Sequence, residues 1–240
     1  MIVIQNFSKA YSKNKYAVKD LNLTIDNGDI CAFVGHNGAG KTTTLKCIVG
    51  ILDFKEGDIF INDKSIKTAS LDCKKGIAYI PDNPDIYEHL RGIDYINFIA
   101  SVFKIPHQKK IELTQRYSEM FEMSQYLNQS INNYSHGMKQ KISLIAALIH
   151  EPQVLILDEP FVGLDPISTH KLKEEMQRLA SNGATILFST HILDVAEKLC
   201  NKIAILKEGK LIYSGKMSEL IQNKSLEEIY MEMDNNVELI

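Results

Sequence analysis

The nine residues Gly35-His36-Asn37-Gly38-Ala39-Gly40-Lys41-Thr42-Thr43 combine glycines, a lysine and paired threonines. Glycine adopts backbone angles that other residues avoid and lets the chain approach a ligand closely, so successive amide N–H groups can converge on an anion. The apolar run Ile30-Cys31-Ala32-Phe33-Val34 precedes this loop, and the helix-like Thr44-Leu45-Lys46-Cys47-Ile48-Val49 follows it. Strand, glycine loop and helix are the setting of a phosphate-binding loop, with the phosphate at the positive end of the helix dipole. Lys41 would then reach the β- and γ-phosphates, and the Thr42 hydroxyl is placed to ligate Mg²⁺. The loop is read as a nucleoside triphosphate site, with Gly35, Asn37, Gly38, Ala39, Gly40, Lys41, Thr42 and Thr43 as its candidate contacts.

A second group of reactive residues follows two apolar runs. Val154-Leu155-Ile156-Leu157 ends in Asp158-Glu159. At the carboxyl edge of a sheet, Asp158 can hold Mg²⁺ through water, and Glu159, on the other face of the strand, can orient and deprotonate an attacking water. Without the glycine loop upstream the pair would read as a polar strand end. His191 follows Ala184-Thr185-Ile186-Leu187-Phe188-Ser189-Thr190. It either hydrogen-bonds a γ-phosphate and holds the water, or simply opens a helix from Ile192 to Leu199. Tyr11 and Tyr16 flank Lys13-Asn14-Lys15; such an aromatic either stacks on a base or covers a sheet.

These residues need a scaffold. The uninterrupted apolar centre before Asp158 predicts a strand buried on both faces, hence a parallel sheet with helices on either side. Met1 to Ile25 reads as β segments around the Lys13-Asn14-Lys15 turn, Gly57 to Lys64 as a second β signal, and Gly76 to Ile80 as a third, stopped by Pro81-Asp82-Asn83-Pro84. From Asp85 to Ile149 the period becomes helical, with Ile93, Ile96, Phe98 and Ile99, then Leu113, Tyr117, Met120 and Phe121, and Pro106 between the two sets. That stretch predicts a helical subdomain inserted into an α/β core. A helix from Ser168 to Leu179, a hairpin over Lys202 to Tyr213 turning at Glu208-Gly209, and a helix-like tail from Lys216 to Ile240 complete the pattern.

Composition excludes some functions. At 240 residues and 45% hydrophobic, the chain can bury the core of one large domain. A net charge of −3, with no Lys or Arg run longer than two residues, does not favour nucleic acid as a partner. The scattered Cys31, Cys47, Cys73 and Cys200 are read as reduced cytosolic thiols. Met1 to Asn6 lacks a signal pattern, and the run from Ser143 to Ile149 falls short of the about 18 apolar residues a membrane span needs, so no span is expected.

Taken together, the motifs resemble the ATP-binding subunit of ABC transporters over nearly the whole chain. Walker A corresponds to Gly35 to Thr43, Walker B to Val154 to Glu159, the signature loop to Tyr134-Ser135-His136-Gly137-Met138-Lys139-Gln140 and the D-loop to Gly163-Leu164-Asp165. Ser135 stands 23 residues before Asp158, and His191 33 after it. The resemblance makes His191 the switch histidine and Tyr11 the aromatic that stacks on adenine. It implies an α/β fold: a P-loop NTPase core with a mixed or parallel sheet, an N-terminal antiparallel β subdomain and an inserted α-helical subdomain. As one domain over 1–240, residues 1–84 and 150–215 would form the ATP-binding core, 85–149 the signature subdomain and 216–240 a helical tail.

The resemblance further implies ATP and Mg²⁺ as cofactors, with catalysis by Lys41, Glu159 and His191 and metal binding by Thr42, Asp158 and Asp82. Ser135 and Gly137 would contact nucleotide held by a second copy, so a dimer of nucleotide-binding subunits, read as a homodimer, is implied. A separate membrane-spanning permease would dock near Pro84 to Phe103, holding the chain at the cytoplasmic face. Tyr87, Tyr95 and Phe98 belong either to that groove or to the subdomain core, with the core expected for two of the three. Two departures stand out: Asp82 replaces the usual loop glutamine, either facing a metal or capping a turn, and His136 replaces a glycine. The Gly-Met-Lys-Gln ending is most similar to bacterial subunits that export peptides, antibiotics or lipids. The alternative, a soluble ABC-type ATPase of translation or DNA repair, usually carries two fused cassettes or a long coiled-coil insertion, and neither is seen. Glu159 argues against a switch without turnover.

Overall fold

The computed structural model describes residues 1–12, 15–84 and 86–235. Lys13 and Asn14 of the first turn, Asp85 at the start of the helical stretch, and 236–240 of the tail lie outside the described residues. In chain order, β1 (Ile2–Ser12), β2 (Lys15–Ile25) and β3 (Ile30–Val34) lead into α1 (Lys41–Ile48). Next come β4 (Glu56–Ile61), β5 (Lys64–Ser65), α2 (Ser70–Lys75) and β6 (Ile77–Ile80). The helices α3 (Gly92–Val102), α4 (His107–Met120) and α5 (His136–Leu148) separate β6 from β7 (Val154–Asp158). Then follow α6 (Pro166–Ser181), β8 (Thr185–Thr190), α7 (Leu193–Leu199), the hairpin β9 (Lys202–Lys207) and β10 (Lys210–Lys216), α8 (Met217–Leu220) and α9 (Leu226–Asn235).

The apolar runs become the middle of a six-stranded sheet in the order β10-β9-β3-β8-β7-β6, parallel except for the antiparallel edge strand β10. Strand side chains alternate between faces, so each run must satisfy two cores. Ala32, Val34, Leu155, Leu157, Ile186 and Phe188 face the core shared with the helical segment. Cys31, Phe33, Ile156 and Leu187 face the core shared with α1 and a four-stranded antiparallel sheet, β2-β1-β4-β5. The loops at the carboxyl ends of β3, β7 and β8 are thereby brought to one edge.

The helical segment is tied to α6 through a buried carboxylate. Glu175 accepts from the Tyr117 hydroxyl at 2.8 Å and Arg116 Nη2 at 3.0 Å on α4, and from Arg178 Nε at 2.9 Å on its own helix. Asp165 caps α6 from the Ser168 amide at 2.8 Å and also pairs with Lys141 of α5 at 2.7 Å. Pro166 fills the first helical position, where its missing N–H is no loss.

Some expectations are corrected. β5 and α2 are additional, because each is too short to leave a periodic signal. The signature helix starts at His136, directly after its N-cap Ser135. Only Tyr95 of the three aromatics packs on the core, whereas Tyr87 and Phe98 are exposed and meet edge to face at 5.6 Å. Gly92, Ile96 and Ala100 form the inward stripe of α3, which turns Phe98 outward. The four cysteines are buried thiols, and no described helix is long and apolar enough to cross a membrane.

Candidate active site

A cavity of about 450 Å³ at the carboxyl edge of the sheet gathers Tyr11, Asn37, Gly38, Gly40, Lys41, Thr42, Thr43, Asp82, Asp158 and Glu159. A larger hollow, about 660 Å³, lies at the opposite edge among Met1, Asn62, Asp63 and Arg178 and contains none of the motif residues. Chemistry, rather than size, therefore selects the site.

The glycine loop is wedged against its neighbours. Gly40 has φ +103°, and a Cβ there would stand 2.5 Å from the Ala17 carbonyl oxygen; one on Gly35 would stand 2.5 Å from that of Leu206. Gly40 also caps α1 without a side chain, leaving the amides of the first turn free to face the cavity. Lys41, almost fully buried, donates from Nζ to the Gly35 carbonyl at 2.5 Å and the His36 carbonyl at 3.3 Å. Burial pulls its pKa down, while the Glu159 and Asp158 carboxylates oppose that shift.

The two acids part company at the end of β7. Asp158 is 2% exposed and sits opposite Ser189 in the parallel register with β8. Its Oδ1 accepts from the Ser189 hydroxyl at 2.5 Å, and its Oδ2 is buried with no hydrogen-bond partner among the described residues. An orphaned carboxylate oxygen beside a threonine hydroxyl and a phosphate cradle fits a hard cation such as Mg²⁺. Glu159 has left the strand at φ +49°, a conformation that costs a non-glycine residue about 1 kcal/mol or more. Its amide donates to Ser189 Oγ at 3.0 Å, and its Oε2 meets His191 Nδ1 at 3.0 Å. Ser189 therefore positions both acids, and sequence reasoning passed over it because its role depends on strand register. Asp82 lies in the cavity wall. Nearby, the buried Tyr79 hydroxyl has no hydrogen-bond partner among the described residues, and burial, with Asp158 and Asp82 adding, pushes its pKa up.

Tyr11 stands exposed at the cavity rim, with its hydroxyl 3.2 Å from Thr43 Oγ1, so it does not cover the sheet. Ser135 and Gly137 do not line the cavity. Ser135 caps α5, accepting from the Met138 amide at 3.3 Å. A Cβ on Gly137 would stand 2.8 Å from the Gly163 carbonyl oxygen, and one on Gly163 would stand 2.8 Å from His136 Cδ2. The signature and D-loops thus pack together on a surface separate from the chain's own phosphate loop.

The family described as ABC transporter matches residues 18–162. The ABC-type transporter ATP-binding protein EcsA of Bacillus subtilis is 31% identical over 238 residues, covering 97% of this chain and 96% of its own. The solved structure of an ATP-binding subunit of an ABC transporter superposes with a TM-score of 0.93 at 31% identity, covering 98% of this chain and 99% of that one. An ATP-binding cassette solved as a dimer in a post-hydrolysis state with ADP and Pi shares the fold, with a TM-score of 0.82 at 22% identity over 90% of this chain and 99% of its own. Matched motifs, fold and family agree: the chain belongs to the ABC transporter family, as an ATP-binding subunit with ATPase activity.

Proposed function

We propose that two copies of this chain close head to tail around ATP and drive export through a separate membrane-spanning subunit. The observation that carries the reading is the separation of parts: Lys41, Asp158 and Glu159 share one cavity, with His191 bonded to Glu159, while the Ser135-capped end of α5 lies on another surface. A helix N-terminus favours an anion. In a head-to-tail pair, Ser135 and Gly137 of one copy meet the terminal phosphate held by the other.

Within that pair, Tyr11 stacks on the adenine, and the amides of Gly35 to Thr43 cradle the phosphates. Lys41 gives the γ-phosphate a fixed positive charge, and Thr42 and Asp158 hold Mg²⁺, with Asp82 close to it. Bound Mg²⁺ neutralises phosphate charge as the transferring group separates. Glu159, held by the Ser189 hydroxyl through its amide and by His191 through its carboxylate, orients the water and takes its proton. His191 then reports to the γ-phosphate. Residues 1–84 and 150–215 act as the ATP-binding core, 85–149 as the signature subdomain and 216–240 as a tail. The exposed Tyr87 and Phe98 support a docking role for the stretch 84–103. The working position is the cytoplasmic face of the membrane, and the two copies are identical. The Gly-Met-Lys-Gln signature ending favours export.

Mixing two inactive variants tests the shared site. Lys41→Ala and Ser135→Arg each abolish hydrolysis alone. Mixed in equal amounts, they restore about a quarter of the wild-type rate, because half of the pairs are mixed and one site in each is whole. No recovery on mixing contradicts the head-to-tail arrangement.

A further inference from the structure

The C-terminal helix reaches both sides of the nucleotide site. Leu226, the first residue of α9, is fully buried, and its amide donates to Glu197 Oε2 of α7 at 2.7 Å. α7 begins two residues after His191, so this contact fixes α9 to the segment behind the histidine. One turn further along, Tyr230 packs against the larger core, and its ring meets the His36 ring edge to face, with centroids 5.4 Å apart. His36 is the second residue of the phosphate loop. Its carbonyl accepts the Lys41 ammonium, and the Ala39 amide donates to the same carbonyl at 3.1 Å. Beyond it, Asn37 and Gly38 are exposed, with Gly38 at φ +85°.

We infer that Tyr230 is a positioning residue of the nucleotide site and that α9 braces the phosphate loop, so the C-terminal segment sets the affinity for nucleotide. The inference rests on the ATP-site reading above. A cradle made of backbone amides binds well only while those amides converge, and ordering them costs conformational entropy that a fixed ring contact has already met. Tyr230 holds the His36 side chain, and with it the peptide that bonds both Lys41 and Ala39. The phenol hydroxyl plays no part in the ring contact, so phenylalanine should replace tyrosine.

The test measures ATP affinity, KM and kcat in the full-length protein, alongside thermal melting. Tyr230→Ala should weaken ATP binding and raise KM by about three- to tenfold, the scale of one aromatic edge contact, with kcat at saturating ATP unchanged. Tyr230→Phe should restore wild-type affinity. His36→Ala should show the same loss, and the double variant should be no worse than the poorer single, because both remove one contact. Equal losses in the Phe and Ala variants, additive losses in the double variant, or unchanged affinity in a folded Tyr230→Ala protein each overturn the brace. Additive losses would mark a general loosening of α9. A wild-type protein that binds no ATP would overturn the site reading itself, and this inference with it.

Discussion

Ser189 shows how much one hydroxyl can fix. It donates to Asp158 and accepts from the Glu159 amide, so both residues are set by a single side chain. Ser189→Ala leaves a buried carboxylate oxygen and an amide without partners and should cost about 1 to 3 kcal/mol, read as a lower urea midpoint. Ser189→Thr, which keeps the hydroxyl, should recover most of it. With Asp158, Asp82 places two carboxylates in the cavity proposed to hold the triphosphate, so in EDTA Asp82→Asn should bind ATP about fivefold more tightly than wild type. Equal affinities in EDTA would mean that Asp82 does not face the phosphates. Asp158, Glu159 and His191 were legible because each follows an apolar run that announces its strand, and Lys41 because it closes the glycine loop. Ser189 was not, because only the pairing of β7 with β8 sets it opposite Asp158.

At the scale of elements, a buried carboxylate ties the helical segment to α6. Glu175 gathers Arg116 and Tyr117 of α4 and Arg178 of α6 around one buried carboxylate. Glu175→Ala leaves two guanidiniums facing each other and should cost about 3 kcal/mol, again by urea unfolding. Past the end of α5, His150 stacks on Phe103 with centroids 3.7 Å apart, and burial lowers its pKa to about 4. An unfolded histidine titrates near 6.5, so between about pH 6.5 and 4 the unfolded chain takes up a proton that the native one refuses, and stability falls with pH. From pH 7 to pH 5 the wild type should lose about 2 kcal/mol more than His150→Phe. Parallel pH profiles would remove that assignment. The long helices were legible from periodicity, since Leu113 and Tyr117 on α4 do face inward, and the buried strands from their uninterrupted apolar runs. The six-residue α2 and the outward turn of Phe98 were not, because the first is shorter than two helical turns and the second depends on which stripe of α3 packs against α5.

For the whole molecule, the consequence of the fold is that the signature loop lies apart from the chain's own phosphate loop. The six-stranded sheet delivers the phosphate loop, both acids and His191 to one edge, while the packing of Gly137 on Gly163 carries Ser135 elsewhere. The parts were legible in the sequence as motifs, but their separation in space was not, because it depends on how α5 docks beside the D-loop. Glu159→Gln keeps the shape of the site and removes the proposed base, so it should bind ATP, lose about 100-fold or more in hydrolysis and hold the proposed closed pair. The most direct test is light-scattering mass of Glu159→Gln with saturating ATP and Mg²⁺. The account predicts twice the mass of one chain, falling back to one chain when Ser135→Arg is added; a single-chain mass with ATP bound would contradict it.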